Sequence, residues 1–312
     1  MSLSLDPQIA EALAPMAGFT PPAAGDIAGR RAVWEPIIGA ASAAQPMPAD
    51  VTLTDHIVTT ADGEHIKVRW YAKDGATPGP AALFFHGGGY IFGHIDLFDG
   101  PVARYVSASG VPMLSVEYRR APEFPFPTPL EDAYAALAWL HDRAPEWGLD
   151  RARIAVLGDS AGGGMAAALA ILARDRGGPA IAHQLLLMPM LDDRVATPDP
   201  HIEPYLLWSY DDSRTAWPAL LGDAAGGPGV PATAAPARLE DATDLPPAYI
   251  EVGQLDVFRD EDLAYAAKLS RAGVPVEFHL HPGAPHEFDS IAFKSDLARR
   301  AIADRVRVLK SL

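Results

Sequence analysis

The feature of this sequence that most constrains its fold is an alternation of short apolar runs with helical patterns, which begins near residue 52. The apolar runs have the length and composition of strands that are buried on both faces of a sheet. They cover residues 81–85, 112–116, 154–157, 184–188, 248–252 and 276–280. The helical patterns cover residues 98–108, 129–142, 161–176, 260–272 and 293–309. Alternation at this spacing predicts βαβ units and a mostly parallel sheet with helices on both faces.

An antiparallel edge is predicted at the start of this sheet. Residues 52–58 and 66–71 have the composition of strands, and the dipeptide Asp62-Gly63 between them is a hairpin signal. Together with the apolar runs, these two segments give a predicted sheet of eight strands.

Two segments do not follow the alternation. Residues 1–48 are rich in alanine and proline and contain only short helical patterns, whereas residues 192–228 separate two predicted strands. The aromatic residues of the second segment are Tyr205, Trp208, Tyr210 and Trp217. A long aromatic insertion in an α/β sheet is typical of a lid or a binding loop. The alternative is that both segments are packed structural helices without a ligand role.

The charge and composition exclude several classes of function. The 312 residues carry a net charge of −15 with only 25 Lys and Arg, so a nucleic-acid backbone would be repelled. The chain has no cysteine, which excludes disulfides and thiolate metal sites. The first residues lack the pattern of a signal peptide, and no stretch of about 20 apolar residues could span a bilayer. We therefore expect a cytoplasmic protein without a membrane span.

A serine flanked by glycines is the first candidate functional residue. Gly158-Asp-Ser160-Ala-Gly162 follows the predicted strand at 154–157 and opens a helix of small residues. The pattern G-x-S-x-G at such a junction is a known nucleophile motif, in which a sharp turn raises the serine hydroxyl above the sheet. Since the pattern alone also arises by chance, it needs support from other motifs.

A glycine-rich loop after the strand at 81–85 gives that support. In His86-Gly-Gly-Gly89-Tyr90, successive glycines allow backbone N–H groups to point towards one spot, as stabilisation of an oxyanion in acyl transfer requires. Gly87 and Gly88 would supply two donors, and Ala161 a third. We expect His86 to anchor the loop by hydrogen bonding and not to act as a base. A phosphate-binding loop is the alternative, but no G-K-[ST] or G-x-G-x-x-G pattern follows.

An activated serine needs a histidine that is oriented by a carboxylate, and in this class of motif the chain order is Ser, Asp or Glu, His. His286 lies in a loop beyond the last predicted strand, and Asp256 follows the strand at 248–252. Ligand chemistry gathers at the carboxyl ends of parallel strands, so we predict His286 as the base and Asp256 as the orienting acid. The acidic residues at 260–262 match the first turn of the following helix instead.

Five ordered motifs together resemble the bacterial hormone-sensitive-lipase-like esterases of the α/β-hydrolase superfamily. They are His86 to Tyr90, Tyr118-Arg-Arg-Ala-Pro-Glu123 with Phe126-Pro127, Gly158 to Gly163, Leu255 to Glu261, and His286-Glu-Phe288. The resemblance implies an α/β-hydrolase fold that cleaves short- to medium-chain acyl esters through Ser160, Asp256 and His286. It implies no cofactor and no metal. Val257 and Arg120 depart from the family, which more often has a proline and an apolar residue at these positions.

The resemblance also gives expectations for the domains and the assembly. It implies a helical cap over residues 1–48 and a catalytic domain over residues 49–312, with a cap or lid insertion at about 192–228. A small ester would be the substrate, and the last strand and helix would form a homodimer.

Several alternatives stay open on the sequence alone. An amidase or a lactonase could use the same triad, and a non-catalytic ligand-binding protein could share the fold. The presence of all three candidate triad residues favours an enzyme. We expect Arg119 and Glu123 to form a buried structural network near the site. The candidate pocket residues are Tyr90, Phe92, Tyr205, Leu206 and Trp208.

Overall fold

The computed structural model describes residues 3–75, 79–195 and 197–312. Residues 1–2 of the predicted cap and residue 196 of the predicted insertion lie outside the described residues. The strands are β1 (Val51–Thr59), β2 (His65–Lys73), β3 (Ala81–Phe85), β4 (Met113–Val116), β5 (Ile154–Asp159), β6 (Gln184–Leu187), β7 (Ala248–Gly253) and β8 (Val276–His281). Each of them coincides with a strand that the sequence predicts, to within about two residues at either end.

These strands form one sheet in the order β1-β2-β4-β3-β5-β6-β7-β8. β1 pairs antiparallel with β2, and β2 pairs antiparallel with β4, whereas all other pairs are parallel. Gly63 adopts a φ of 86° in the turn between β1 and β2, which explains the glycine there. The predicted eight-stranded, mostly parallel sheet with an antiparallel edge is confirmed.

Helices cover both faces of the sheet. They are α1 (Pro7–Leu13), α2 (Ile27–Ala43), α3 (Asp99–Ser109), α4 (Thr128–Arg143), α5 (Ala161–Arg176), α6 (Tyr210–Leu221), α7 (Arg259–Arg271), α8 (Phe288–Ile291) and α9 (Asp296–Lys310). Alternate residues of one strand belong to different cores. Leu83 belongs to the core that contains residues of α4, α5 and α7, while Phe84 belongs to the core that contains residues of α3 and α9. This alternation follows from the two-residue period of a strand. It explains why β3 is apolar at every position.

The two segments that do not follow the strand–helix alternation, residues 1–48 and 192–228, contact each other. α2 precedes the sheet, and α6 lies between β6 and β7. Arg30 of α2 donates from Nε to Oδ1 of Asp212 in α6 over 2.8 Å, and neither side chain is exposed. A buried charge pair of this kind holds two elements in one arrangement, because separating it leaves a charge without a partner. Of the described helices, none has both the length and the apolar character needed to cross a membrane.

Candidate active site

Ser160 lies in a sharp turn between β5 and α5. Its backbone adopts φ 55° and ψ −119°, a region that residues with a side chain rarely occupy. The turn is held by hydrogen bonds from Ser160 N–H to Leu187 O at 2.8 Å and from Met190 N–H to Ser160 O at 2.9 Å. Such strain persists only where the surrounding structure imposes it, and it is concentrated at functional sites.

The glycines around Ser160 are required by close backbone approach. A Cβ atom on Gly158 would lie 2.2 Å from the carbonyl oxygen of Gly162, and one on Gly162 would lie 1.9 Å from that of Phe85. These distances are far inside van der Waals contact, so no side chain fits at either position. The sequence therefore uses glycine on both sides of the serine so that α5 can pack directly on β3 and β5.

Ser160, His286 and Asp256 are brought into one hydrogen-bonded line. His286 Nε2 lies 2.9 Å from Ser160 Oγ, and His286 Nδ1 donates to Asp256 Oδ2 over 2.8 Å. Asp256 is in turn fixed by the backbone N–H of Phe258, which donates to Oδ1 at 2.9 Å. Because one ring nitrogen donates to the carboxylate, the other is left to accept the serine proton.

The surroundings of His286 favour its protonated form. Burial by itself lowers the pKa of His286, but the charge and the hydrogen bond of Asp256, with Glu287 and Asp289 nearby, outweigh that effect. The net result is a pKa raised above the ordinary histidine value. A base with this pKa accepts a proton more readily, and the imidazolium that results is stabilised by the carboxylate.

The other acidic residues after β7 lie elsewhere. Asp260 is exposed and pairs with its neighbour Arg259, whereas Glu261 is directed towards the start of the insertion after β6. Glu261 Oε1 accepts the N–H groups of Leu191 and Asp192 at 2.7 and 3.1 Å. Of the acidic residues after β7, the one that contacts His286 is thus Asp256. This agrees with the expectation that functional side chains gather at the carboxyl ends of parallel strands.

The glycine-rich loop brings backbone donors beside Ser160. Gly87 touches the serine so closely that a Cβ atom on it would lie 3.3 Å from Ser160 Cβ and 2.7 Å from Oδ2 of Asp159. Gly88 adopts a φ of 115°, which only glycine tolerates well. Within the described ranges, the N–H groups of Gly87, Gly88 and Ala161 donate to no protein atom. Three free donors therefore flank the hydroxyl group.

His86 is packed into the base of this loop. It is fully buried, donates from Nδ1 to Gly87 O over 2.7 Å, and stacks on Tyr118 with ring centroids 4.4 Å apart. The Tyr118 hydroxyl donates to the His86 carbonyl at 2.8 Å. Burial lowers the pKa of His86 to about 3, so the ring is neutral near pH 7. Its contacts hold the base of the glycine-rich loop in place, as expected from the sequence.

A cavity of about 110 Å³ opens beside the serine. Ser160, His286, Gly87 and Gly88 belong to its wall, and the rest is mostly apolar. The apolar wall residues that come from the segments outside the alternation are Trp34, Ile37, Ile38, Ala41, Leu207 and Trp208. A narrow apolar cavity next to a nucleophile suits a small acyl or alkyl group.

The predicted pocket residues divide into two groups. Phe92 and Trp208 line the cavity and contact each other, with ring centroids 6.0 Å apart. Tyr90, Tyr205 and Leu206 are not among the described residues that line it. Tyr90 is buried and packs on Trp217, and the Tyr205 hydroxyl donates to the carbonyl of Leu3 at 2.8 Å. The wall contributed by α2 was missed, since the short apolar pattern of residues 27–38 resembles that of any packed helix.

A pair of carboxyl groups, one buried and one partly buried, lies next to the catalytic candidates. Asp159 precedes Ser160, Glu287 follows His286, and both line the cavity and share a hydrogen bond. Burial raises the pKa of each, and the nearby charge of Asp289 adds to the effect. One proton shared between the two carboxyl groups avoids placing two negative charges side by side.

The expected network of Arg119 with Glu123 is wrong. Arg119 binds the buried Asp132 through Nε and Nη2, and it also reaches Asp62 in the turn between β1 and β2. Glu123 is half-exposed and binds Arg31 of α2. The two residues are close in sequence, but their side chains bind different partners and not each other. A sequence motif alone does not reveal this. In the described part of the chain, no three His, Asp or Glu side chains are grouped so as to hold a metal ion.

Comparison with known proteins gives the family. A family model described as alpha/beta hydrolase fold matches residues 82–290, which include all the motifs of the site. The chain belongs to the α/β-hydrolase family. The predicted identification with the bacterial hormone-sensitive-lipase-like branch, and with the carboxylesterase class of enzyme, is confirmed by the relatives.

Two curated relatives of this α/β-hydrolase are esterases of Mycobacterium tuberculosis. Esterase LipI is 40% identical over 64% of this chain and 62% of its own length. Carboxylesterase NlhH is 38% identical over 74% of this chain and 73% of its own length. The match thus spans less than two thirds of LipI. Among solved structures, Bacterial Heroin Esterase is 36% identical and superposes with a TM-score of 0.89, covering 99% of this chain and 98% of that one.

Proposed function

We propose that this α/β-hydrolase cleaves short- to medium-chain acyl esters by a two-step mechanism in which Ser160 is the nucleophile. The observation that carries the proposal is the line of hydrogen bonds from Ser160 Oγ through His286 to Asp256, next to three free backbone N–H groups. A nucleophile, a base, an orienting carboxylate and an oxyanion site are together what acyl transfer through serine needs.

In the first step, Ser160 Oγ attacks the ester carbonyl carbon while His286 Nε2 takes the hydroxyl proton. The carbonyl oxygen becomes an oxyanion, which accepts hydrogen bonds from the N–H groups of Gly87, Gly88 and Ala161. When the tetrahedral intermediate collapses, the bond to the alcohol oxygen breaks and His286 gives its proton to that oxygen. The alcohol leaves and an acyl-serine remains.

In the second step, water replaces the alcohol. His286 removes a proton from the water as its oxygen attacks the acyl carbon, and a second oxyanion forms at the same donors. Collapse returns the proton to Ser160 Oγ and releases the carboxylic acid. Asp256 holds the His286 ring in one tautomer and stabilises the imidazolium in both steps.

The size of the acyl group follows from the cavity. Pockets for drug-sized ligands measure roughly 300–1,000 Å³, whereas the cavity beside Ser160 holds about 110 Å³. Its wall includes Trp34, Phe92 and Trp208, whose rings bound the space available to a chain. These features support acyl groups of short to medium length.

A homodimer through β8 and α9 is also proposed. β8 is the last strand of the sheet order, and on its outer side it pairs with no other strand of the described residues. An open sheet edge is able to pair with the same edge of a second copy. Measurement of the mass in solution by light scattering gives the test.

The decisive experiment for the function is hydrolysis of a p-nitrophenyl ester series, from acetate to laurate, by wild type and Ser160→Ala. We expect wild-type kcat/KM to be highest for the short esters, and Ser160→Ala to lose at least about 10⁴-fold in kcat. Ser270→Ala, on the exposed face of α7, is the matched control and retains full activity. If folded Ser160→Ala keeps more than a few per cent of wild-type rate, the assignment of the nucleophile is wrong.

A further inference from the structure

The loop that carries Gly87 and Gly88 is held from outside by an arginine of α2. Arg31 donates from Nε to the Ile91 carbonyl over 2.7 Å, and from Nη2 to the Ala121 carbonyl over 3.0 Å. Its Nη1 and Nη2 atoms also bind the two carboxylate oxygens of Glu123, each at 2.7 Å. A bidentate pair of this kind fixes the plane of the guanidinium group, and with it the direction of the Nε–H bond.

The Ile91 carbonyl belongs to a tight turn that begins at Gly88. The N–H groups of Ile91 and Phe92 both donate to the Gly88 carbonyl, at 3.0 and 3.1 Å. The turn is so close that a Cβ atom on Gly88 would lie 2.3 Å from the Phe92 carbonyl oxygen. Because these peptides are bonded to one another, a displacement of the Ile91 carbonyl is passed on to the peptide of Gly88.

The same helix that holds this turn also forms part of the cavity wall. Trp34, Ile37 and Ile38 of α2 line the cavity, and Glu35 accepts the N–H group of Gly93 at 3.3 Å. Apolar residues of α2 therefore face the cavity, while its charged residues Arg31 and Glu35 are hydrogen-bonded to the loop that follows Gly87 and Gly88.

We propose that Arg31 is a positioning residue for the oxyanion hole: by holding the Ile91 carbonyl, it keeps the N–H groups of Gly87 and Gly88 where the oxyanion forms. The inference rests on the proposed function. Arg31 itself touches neither the serine nor the cavity, so it acts through the loop. Donors that meet the oxyanion stabilise the transition state more than the bound ester, and their displacement lowers kcat more than it alters KM.

The test compares Arg31→Met and Arg31→Lys with wild type on p-nitrophenyl butyrate. Misplacement of a catalytic group by about 1 Å costs up to about 100-fold in rate, so we expect kcat to fall about 30-fold in Arg31→Met. Lysine offers a point charge in place of the planar fork, and we expect a loss of about tenfold in Arg31→Lys. KM should stay within about twofold of wild type in both.

A second readout separates positioning from a general structural role. A trifluoromethyl ketone adds to the serine hydroxyl and places its oxyanion at the backbone donors, as the transition state does. Its inhibition constant should rise by the same factor by which kcat/KM falls, because transition-state analogues follow transition-state binding. Loss of folding alone would reduce the amount of active enzyme and leave the inhibition constant of the remainder unchanged.

Two control variants isolate the bond to Ile91. Glu123→Gln removes the charge of the half-exposed pair that orients the guanidinium but keeps an amide oxygen that accepts from it, so the Nε–H of Arg31 can stay bonded to the Ile91 carbonyl and kcat should fall by no more than about threefold. Arg143→Met removes an arginine from an exposed pair with Glu146 on α4, and its activity should match wild type. Thermal unfolding of each variant reports its stability.

The inference is overturned if folded Arg31→Met has a kcat within about twofold of wild type, if the loss lies in KM alone, or if Glu123→Gln loses as much as Arg31→Met. If Arg31→Met does not fold, Arg31→Lys decides by the same criteria. A wild-type enzyme that hydrolyses no ester would overturn the proposed function, and the positioning role with it. Normal wild-type turnover with unaffected Arg31 variants would overturn the positioning role alone.

Discussion

Arg305 in α9 donates from Nε to Oε1 of Glu251 in the middle of β7 over 2.7 Å, and neither side chain is appreciably exposed. The same guanidinium binds Asp289 in α8, two residues beyond the Glu287 that follows His286, and the hydroxyl of Tyr105. One buried arginine thus ties the central sheet to the segment that carries the histidine.

Glu251→Gln should destabilise the protein strongly. Removing one charge of a buried pair costs about 3–5 kcal/mol, because the remaining charge stays buried without its partner. Urea unfolding at pH 7 measures the free energy. The exposed pair of Glu146 with Arg143 offers the matched control, since Glu146→Gln should cost less than about 1 kcal/mol. A loss below 1 kcal/mol for Glu251→Gln would contradict the importance of the buried pair.

The same pair gives a pH dependence of defined sign. Burial raises the pKa of Glu251, but Arg305 and His281 outweigh burial and hold it at about 2. A carboxyl group whose pKa is lowered by folding stabilises the folded protein at pH values above the ordinary carboxyl pKa. That contribution is lost as the pH falls towards 2. The unfolding free energy of wild type should therefore decline more steeply from pH 5 to pH 3 than that of Glu251→Gln.

The fold and the proximity of Ser160, Asp256 and His286 were predictable because both depend on local patterns. The apolar runs that become β3 and β5 are buried on both faces, and their composition shows it. Since the carboxyl ends of parallel strands meet at one edge, positions after β7 and β8 suffice to bring Asp256 and His286 near Ser160. No long-range information was needed beyond strand order.

The contacts of α2 could not be predicted in the same way. Arg30 binds Asp212 and Arg31 binds Ile91 across large separations in sequence. The helical pattern around the two arginines does not show which partner each of them has. Which of two adjacent arginines is buried depends on how α2 docks, and that is decided by packing. For the same reason, an aromatic side chain such as Tyr205 was expected in the pocket although its hydroxyl is bound elsewhere.

Asp256→Asn should alter both the rate and its pH dependence. In wild type, kcat/KM rises with pH as His286 loses its proton, and the raised pKa of His286 places this inflection above 6.5. Without the aspartate charge the pKa falls, so the inflection should move to lower pH, while kcat drops by about 10³–10⁴-fold because the ring is no longer held in the right tautomer. Initial rates with p-nitrophenyl acetate from pH 4.5 to 9 measure both effects.

Asp260→Asn is the control for this series, because Asp260 is exposed and pairs with Arg259. It should retain the wild-type rate and inflection. A severe loss in Asp260→Asn combined with a mild one in Asp256→Asn would move the orienting acid to Asp260.

Asp159→Asn should change how stability depends on pH in the neutral range. Burial, with the nearby charge of Asp289, raises the pKa of Asp159 to about 6, even though its hydrogen bond with Glu287 lowers it. A carboxyl group with a raised pKa favours the folded state at low pH, and that contribution is lost as the pH rises through the folded-state value. Asparagine cannot ionise and its amide oxygen can still accept a hydrogen bond from Glu287, so the variant should gain about 1–3 kcal/mol relative to wild type between pH 4 and pH 8.

Urea unfolding of both proteins at pH 4, 6 and 8 measures this gain. The exposed Asp142 provides the matched substitution, and Asp142→Asn should follow the wild-type profile at all three values. Parallel profiles for Asp159→Asn and wild type would mean that Asp159 is ionised in the folded protein already at low pH. The proton would then have to reside on Glu287, whose own pKa is raised well above the ordinary value by burial and by Asp159, and Glu287→Gln would show the gain in its place.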